Sequence, residues 1–259
     1  ILPGKEMVKN PTELIGNGYL ERLLKVLRKN YDYVIANSSY WKKPYGEAFS
    51  VKEENVVVTG MPRVDCLFDD NYLKVSKNKL LAKYPMLKNK KIILYAPTFR
   101  GNIYQGFTML PFDGEKLINS FDENTYLIYK LHPLLKNVCL PQHPRIIDMF
   151  NEDTHELFAL SDMLISDFSS IVFDYSILNK PMYFYVPDLN DYLKDVGCYV
   201  NTDLFPGKIC KTINELIQGI QKKEVGDLEA FKNMFFEYQD GKNTKRVVDL
   251  IYDILKKSL

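Results

Sequence analysis

The sequence predicts an α/β protein built on a parallel, doubly wound sheet, and three observations predict it. Short apolar runs fit for buried strands alternate with stretches of helical spacing along most of the chain. The clearest unit, residues 161–186, reads as strand, turn, helix, turn, strand. Turn-forming residues stand at the joins, as in Asn179-Lys180-Pro181. With 259 residues and 46% hydrophobic composition, the chain can bury a sizeable core, as one large domain or as one complete domain plus part of another.

The totals exclude some functions. The 34 basic and 33 acidic side chains nearly cancel, so no global field points to nucleic acid, and any anionic partner must be recognised locally. Cys66, Cys139, Cys198 and Cys210 are widely spaced and form no CxxC pair, which fits a reduced, cytoplasmic setting. No apolar run approaches the roughly 20 residues that span a bilayer, and no signal peptide is visible. The expected protein is soluble, or at most lies on a membrane surface.

Residues 1–12 are irregular, with Pro3, Gly4 and Pro11. Over residues 20–30, Leu20, Leu23, Leu24 and Leu27 share one helical face with basic residues between them. Such a helix packs on a sheet or lies on an anionic membrane, and the strand following at once, residues 31–36, favours packing. Residues 37–49 read as a helix that Pro44 would kink, and residues 55–59 as a β-branched strand. This αβαβ pattern falls short of the roughly five strands of a doubly wound domain, so it is expected to be the end of a domain whose start is absent. The opening at Ile1 agrees, as in a processed protein or a fragment. The turn-rich Gly60-Met61-Pro62-Arg63-Val64-Asp65 marks the expected boundary, dividing the chain into residues 1–64 and 65–259.

Beyond it, a lysine-rich helix over residues 72–84 leads to a strand over 91–96 and the loop Pro97-Thr98-Phe99-Arg100-Gly101-Asn102. Ligands of open parallel sheets bind beyond the carboxyl ends of strands. Thr98, Arg100, Gly101 and Asn102 are therefore placed for an anionic ligand, or they form an ordinary surface loop. A helix over 114–121 precedes the strand 125–131, whose carboxyl end carries Lys130 and His132 on the same rim. His143, and His155 in or near a helix over 154–160, read as structural; the three histidines make no metal-ligand spacing, so no metal is expected.

In the central unit the turn Ser166-Asp167-Phe168-Ser169-Ser170 opens a helix on which Ile171, Val172, Tyr175 and Leu178 recur at helical spacing. A helix start offers unpaired N–H groups and partial positive charge, so Ser169 and Ser170 can hold a phosphate or diphosphate; otherwise Ser169 only caps the helix. Asp167 lies at the strand end, and Asp174, on the helix, faces the ligand or makes a structural hydrogen bond. A strand at 182–186 leads to a polar, aromatic loop over 187–199 that lines a pocket or acts as a flap. Helices follow over 212–222, 228–238 and 243–257, the last begun by Asp240-Gly241-Lys242-Asn243-Thr244. No Walker loop or complete GxGxxG is present.

Several stretches, taken in their shared order, resemble a known family. Tyr95-Ala96-Pro97-Thr98-Phe99-Arg100, Lys130-Leu131-His132-Pro133, Ser166-Asp167-Phe168-Ser169-Ser170-Ile171-Val172-Phe173-Asp174-Tyr175, Lys180-Pro181 and Asp240-Gly241-Lys242-Asn243-Thr244 are similar to the C-terminal half of the CDP-glycerol glycerophosphotransferases. These make teichoic acids and related capsular polymers. Thr59-Gly60-Met61-Pro62-Arg63-Val64-Asp65 resembles the segment between that family's halves.

The resemblance implies a GT-B-like architecture of two Rossmann-type domains. Residues 1–64 would be the end of the acceptor-side domain and residues 65–259 the donor nucleotide-binding domain. It implies that Thr98, Arg100, Ser169 and Ser170 bind the donor diphosphate; Lys130, on the same rim, is expected to join them, and Gly101, Asn102, Ser166, Asp167 and Asp174 are expected around the pocket. His132 would be catalytic, as a base or, as favoured here, by donating to a phosphate oxygen of the donor. The implied substrates are CDP-glycerol or CDP-ribitol and a lipid-linked wall teichoic acid or capsule acceptor, with CMP released and no cofactor. The implied location is the cytoplasmic face of the bacterial membrane, with residues 22–29 as a possible peripheral contact. One departure stands out: the family's Trp-His-Gly sequence has no counterpart, since Trp41 is followed by Lys42 and no histidine precedes His132. An isolated chain of this kind would bind donor and turn it over slowly or not at all. Two other readings remain open, a nucleotide-sugar GT-B enzyme and a non-catalytic nucleotide-binding module.

Overall fold

The computed structural model describes residues 31–102, 104 and 106–257. The irregular start at residues 1–12 and the amphipathic helix expected over 20–30 lie outside the described residues. In order, the chain forms β1 (Val34–Ala36), α1 (Lys42–Phe49), β2 (Val56–Val58), α2 (Asp70–Lys83), β3 (Lys91–Tyr95), β4 (Arg100–Asn102), β5 (Gly106–Thr108), α3 (Gly114–Asn119), β6 (Thr125–Tyr129) and β7 (Ile146–Asp148). There follow α4 (Thr154–Leu160), β8 (Met163–Ser166), α5 (Ile171–Ser176), β9 (Met182–Tyr185), α6 (Leu189–Asp195), β10 (Lys208–Cys210), α7 (Ile213–Gln221), α8 (Leu228–Phe235) and α9 (Asn243–Lys257).

The chain divides into two compact units. The larger comprises Asp69–Asp188 and Phe205–Leu228; the smaller comprises residues 31–68, Leu189–Leu204 and residues 229–257. The first crossing between the units falls after Phe68, and Leu189–Leu204 and residues 229–257 return to the smaller unit, whereas the division read from the sequence was a single cut between residues 64 and 65. Residues 229–257 pack with residues 31–68 because α8 has aromatic side chains to bury there: Phe235 lies 4.8 Å from Tyr40 and 5.8 Å from Trp41, ring centre to ring centre.

The larger unit is a six-stranded sheet in the order β10-β9-β8-β3-β6-β7, with every neighbouring pair parallel. Strands buried on both faces read as continuous apolar runs, and Ile92 to Tyr95 of β3 are all buried. Ile93, Leu127 and Ile165 face a core completed by Leu117 and Ile118 of α3 and Leu216 and Ile217 of α7. Each such side chain contributes about 1.5–3 kcal/mol by leaving water. The helices start where acceptors satisfy their first N–H groups: Asp69 for α2, Asp113 for α3, Asp153 for α4 and Thr212 for α7. Strand order reverses between β3 and β8, and it is at such a point that open parallel sheets leave a ligand crevice beyond their carboxyl ends.

In the smaller unit β1 and β2 pair in parallel, and the amides of Thr59 and Gly60 donate to the carbonyl of Ala36. Pro44 does not kink a helix over 37–49. It falls in the first turn of α1, where an absent N–H costs nothing, and a separate 3₁₀ turn at Ser39–Trp41 precedes it. The stretches at 59–65 and 240–244 meet. The Asp65 carboxylate accepts from the amides of Asn243 and Thr244 at 3.0 and 2.7 Å and from the Thr244 hydroxyl at 2.7 Å, capping α9. Gly60, at φ +76°, leaves room for Asn243: a Cβ there would lie 2.0 Å from its Oδ1. Among the described residues, no helix is long and apolar enough to cross a membrane.

Candidate functional site

The carboxyl ends of β3 and β8 are tied together by Ser166, whose buried hydroxyl donates to the Ala96 carbonyl at 2.7 Å. The next residue, Asp167, is 1% exposed. It accepts from the Thr98 amide at 2.9 Å, the Thr98 hydroxyl at 2.7 Å and Arg100 Nη1 at 3.0 Å. Arg100 Nη1 also donates to Thr98 Oγ1 at 2.6 Å, and Nε and Nη2 donate to the two oxygens of Asp188 at 2.7 and 3.2 Å. Burial pushes the Asp167 carboxyl upward, with the guanidinium and the Thr98 donors pulling against it. Burial works against the charge of Arg100, but the bonds to Asp188 and the charge of Asp167 outweigh it and raise its pKa.

Arg100 begins a hairpin, β4 with β5, in which Gly101 pairs with Phe107. Gly101 has φ +89°, and a Cβ there would lie 2.1 Å from the Gly106 carbonyl oxygen, so only glycine fits this approach of two backbones. Asn102 accepts from the Tyr104 amide at 2.9 Å and shapes the hairpin end. Phe99 touches both Phe107 of the hairpin and the ring of His132, at centroid distances of 5.0 and 4.9 Å. His132 therefore belongs to the same rim as Thr98 and Arg100. Its Nδ1 accepts from the Leu134 amide at 3.2 Å, and burial lowers its pKa below the ordinary histidine value. A neutral ring with Nδ1 accepting carries its proton on Nε2, which is then a donor.

Ser169 is half-buried and Ser170 exposed at the start of α5. Ser169 accepts from the Ile171 amide at a long 3.4 Å, and Ser170, at the cap position, makes no side-chain cap bond. Capping alone therefore accounts poorly for this hydroxyl pair.

Lys130 does not point its ammonium at the rim; it donates to the carbonyls of Phe150 and Glu152, both at 2.7 Å, and burial lowers its pKa. This anchors the stretch after β7. Asp174 is 5% exposed and faces His155, Oδ2 to Nε2 3.6 Å, on the helical layer formed by α4 and α5. His143 is held between Asn119 and the Arg145 amide. Asp188 escaped the sequence reading, which saw only a polar loop after the strand at 182–186. Its one signal was an acidic residue just past a strand end on the rim already identified.

The family model for CDP-glycerol:poly(glycerophosphate) glycerophosphotransferase matches residues 5–253. The chain belongs to this family. It is 38% identical over 234 residues to the teichoic acid poly(ribitol-phosphate) polymerase of Bacillus spizizenii, covering 86% of this chain and 38% of that protein. It is 32% identical over 240 residues to the teichoic acid glycerol-phosphate primase of Bacillus subtilis, covering 91% and 61%. The solved wall teichoic acid polymerase TagF aligns with a TM-score of 0.78 and 28% identity over 94% of this chain and 63% of that one, and a variant of it was solved after a soak with CDPG. The chain thus spans from 38% to 61% of the length of these curated relatives. The α/β, GT-B-like fold and the glycerophosphotransferase family read from the residues are both what these comparisons show.

Proposed function

We propose that this chain carries the donor-binding part of a transferase that moves an alditol phosphate from a CDP-activated donor to a hydroxyl of a lipid-linked wall teichoic acid or capsule acceptor. The observation that carries this reading is the rim at the reversal of strand order. There Thr98, Arg100 and Asp167 form one hydrogen-bonded group, and the Ser169 and Ser170 hydroxyls stand two and three residues beyond Asp167. In a chain of this family, that rim is where a CDP diphosphate fits best.

The acceptor oxygen attacks the β-phosphorus, the bond from that phosphorus to the bridging oxygen breaks, and CMP leaves with the bonding electrons. The acceptor's proton is lost to a base or to solvent. Ser169, Ser170 and His132 Nε2–H supply donors to phosphate oxygens as charge builds on the departing CMP. The His132 tautomer favours this role over proton abstraction, since Nε2 already holds its proton. Arg100 acts from within the ion-pair group and Thr98 through Asp167. The larger unit is the donor side, and a lipid-linked acceptor would place the reaction at the cytoplasmic face of the membrane. The ribitol-phosphate polymerase, at 38% identity against 32% for the glycerol-phosphate primase, favours CDP-ribitol as the donor.

Isothermal titration with CDP-ribitol, CDP-glycerol, CDP, CMP and UDP tests this. Cytidine diphosphates are expected to bind selectively. Ser169→Ala/Ser170→Ala is expected to weaken them by on the order of a hundredfold, the loss of two hydrogen bonds to a charged group, and His132→Ala to weaken them less. Equal binding of UDP would point to a nucleotide-sugar enzyme, and no binding of any nucleotide would remove the donor-site reading.

A further inference from the structure

We infer that Asp188 is an internal stand-in for the donor diphosphate, a positioning residue that holds the outer edge of Arg100 until the donor displaces it. The inference rests on the donor-site reading above. Arg100 presents two edges. The Nη1 edge is committed inward, to Asp167 and to the Thr98 hydroxyl, and Asp167 is almost wholly buried. The Nε–Nη2 edge meets Asp188 as a fork, one carboxylate oxygen on each nitrogen, at 2.7 and 3.2 Å. A guanidinium offers this two-point geometry to carboxylate and phosphate alike.

Exposure says which partner can leave. The side chain of Asp167 is 1% exposed, that of Arg100 16% and that of Asp188 23%. Asp188 follows β9 on the connecting stretch after Val186-Pro187, whereas Thr98 and Asp167 hold Arg100 from the ends of β3 and β8. An exchange at the outer edge therefore leaves Arg100 in place and moves only Asp188.

Charge explains why an exchange is needed. One guanidinium between two carboxylates leaves an excess negative charge, which repels a diphosphate. With Asp188 withdrawn, Arg100 and Asp167 balance, and the diphosphate takes over both outer hydrogen bonds. Asp188 in this role raises the threshold for anions that cannot replace both of its contacts, which favours a diphosphate over a chloride.

The test is titration of CDP, inorganic pyrophosphate and cytidine into the wild type, Asp188→Asn and Asp188→Ala, with folding checked by circular dichroism. Both variants are expected to bind CDP and pyrophosphate more tightly, on the order of tenfold, since a competing charge-assisted contact is gone. Cytidine, which carries no phosphate, should bind all three alike. In an Arg100→Ala background the gain from Asp188→Asn should vanish, as coupling through one guanidinium requires. Weaker or unchanged CDP binding by folded Asp188→Asn and Asp188→Ala would make Asp188 a permanent strut and overturn the inference, with the donor site intact. If neither the wild type nor the variants bind CDP or pyrophosphate, the inference and the donor-site reading both fall.

Discussion

Lys180 shows what burial does to an ammonium group in this fold. Its Nζ donates to the carbonyls of Phe158, Ala159 and Ser161 at 2.8, 3.3 and 2.6 Å, closing the carboxyl end of α4, where helix carbonyls lack partners and the dipole favours a cation. Burial nevertheless pushes its pKa from 10.5 down to about 8. Below pH 8 both the folded and the unfolded chain hold this proton, and the group adds no pH dependence. Between about 8 and 10.5 the unfolded chain holds a proton that the folded one has released, so this group makes stability rise with pH. Denaturant melts of wild type and Lys180→Met across pH 7 to 10.5 should diverge in slope only above about pH 8, and parallel slopes throughout would refute the shift. The two lysines also mark the limit of reading a site from residues. Thr98, Arg100, Asp167 and His132 were legible together, because strand ends place residues on one rim whatever their rotamers. Lys130 was not, because a strand end fixes where a long side chain starts but not which carbonyls its ammonium reaches.

Among the elements, α9 depends on a residue far away in sequence. Asp65 supplies three acceptor contacts to its first turn, so Asp65→Ala should cost about 1–2 kcal/mol, and Asp65→Asn less. Hydrogen exchange would show the loss as faster exchange at Asn243 and Thr244; unchanged protection there would mean that the cap contributes nothing. The caps of α2, α4 and α7 are local by contrast, since Asp69, Asp153 and Thr212 each stand just before the helix they cap. The hairpin of β4 and β5 and the strands β7 and β10 were not. A three-residue strand holds too little alternation to show a period, and Lys208–Cys210 becomes a strand only by pairing with β9. The helix α6 was hidden in residues 187–199 for a related reason: none of its residues is buried, so it has no apolar stripe.

For the whole molecule, the two units draw on the chain unequally. Residues 31–68 need residues 229–257 for much of their packing: Phe235 lies against Tyr40 and Trp41, and the Ser38 hydroxyl donates to the Met234 carbonyl. Removal of residues 229–257 is therefore expected to unfold β1 and β2 while leaving β3, β6 and β8 protected. Limited proteolysis should cut first before Asp69, and cuts spread evenly along the chain would contradict this.

The bond from the Thr244 amide to Asp65 spans 179 residues. As the chain leaves the ribosome, β1 and β2 emerge well before α9, which Asp65 caps. At elongation rates of about 5–20 residues per second the wait is roughly 9–36 s. Throughout that interval Val56, Val57 and Val58 have only an unfinished unit to pack in, and a chaperone that holds nascent apolar segments would find its target there rather than in the sheet that carries the rim.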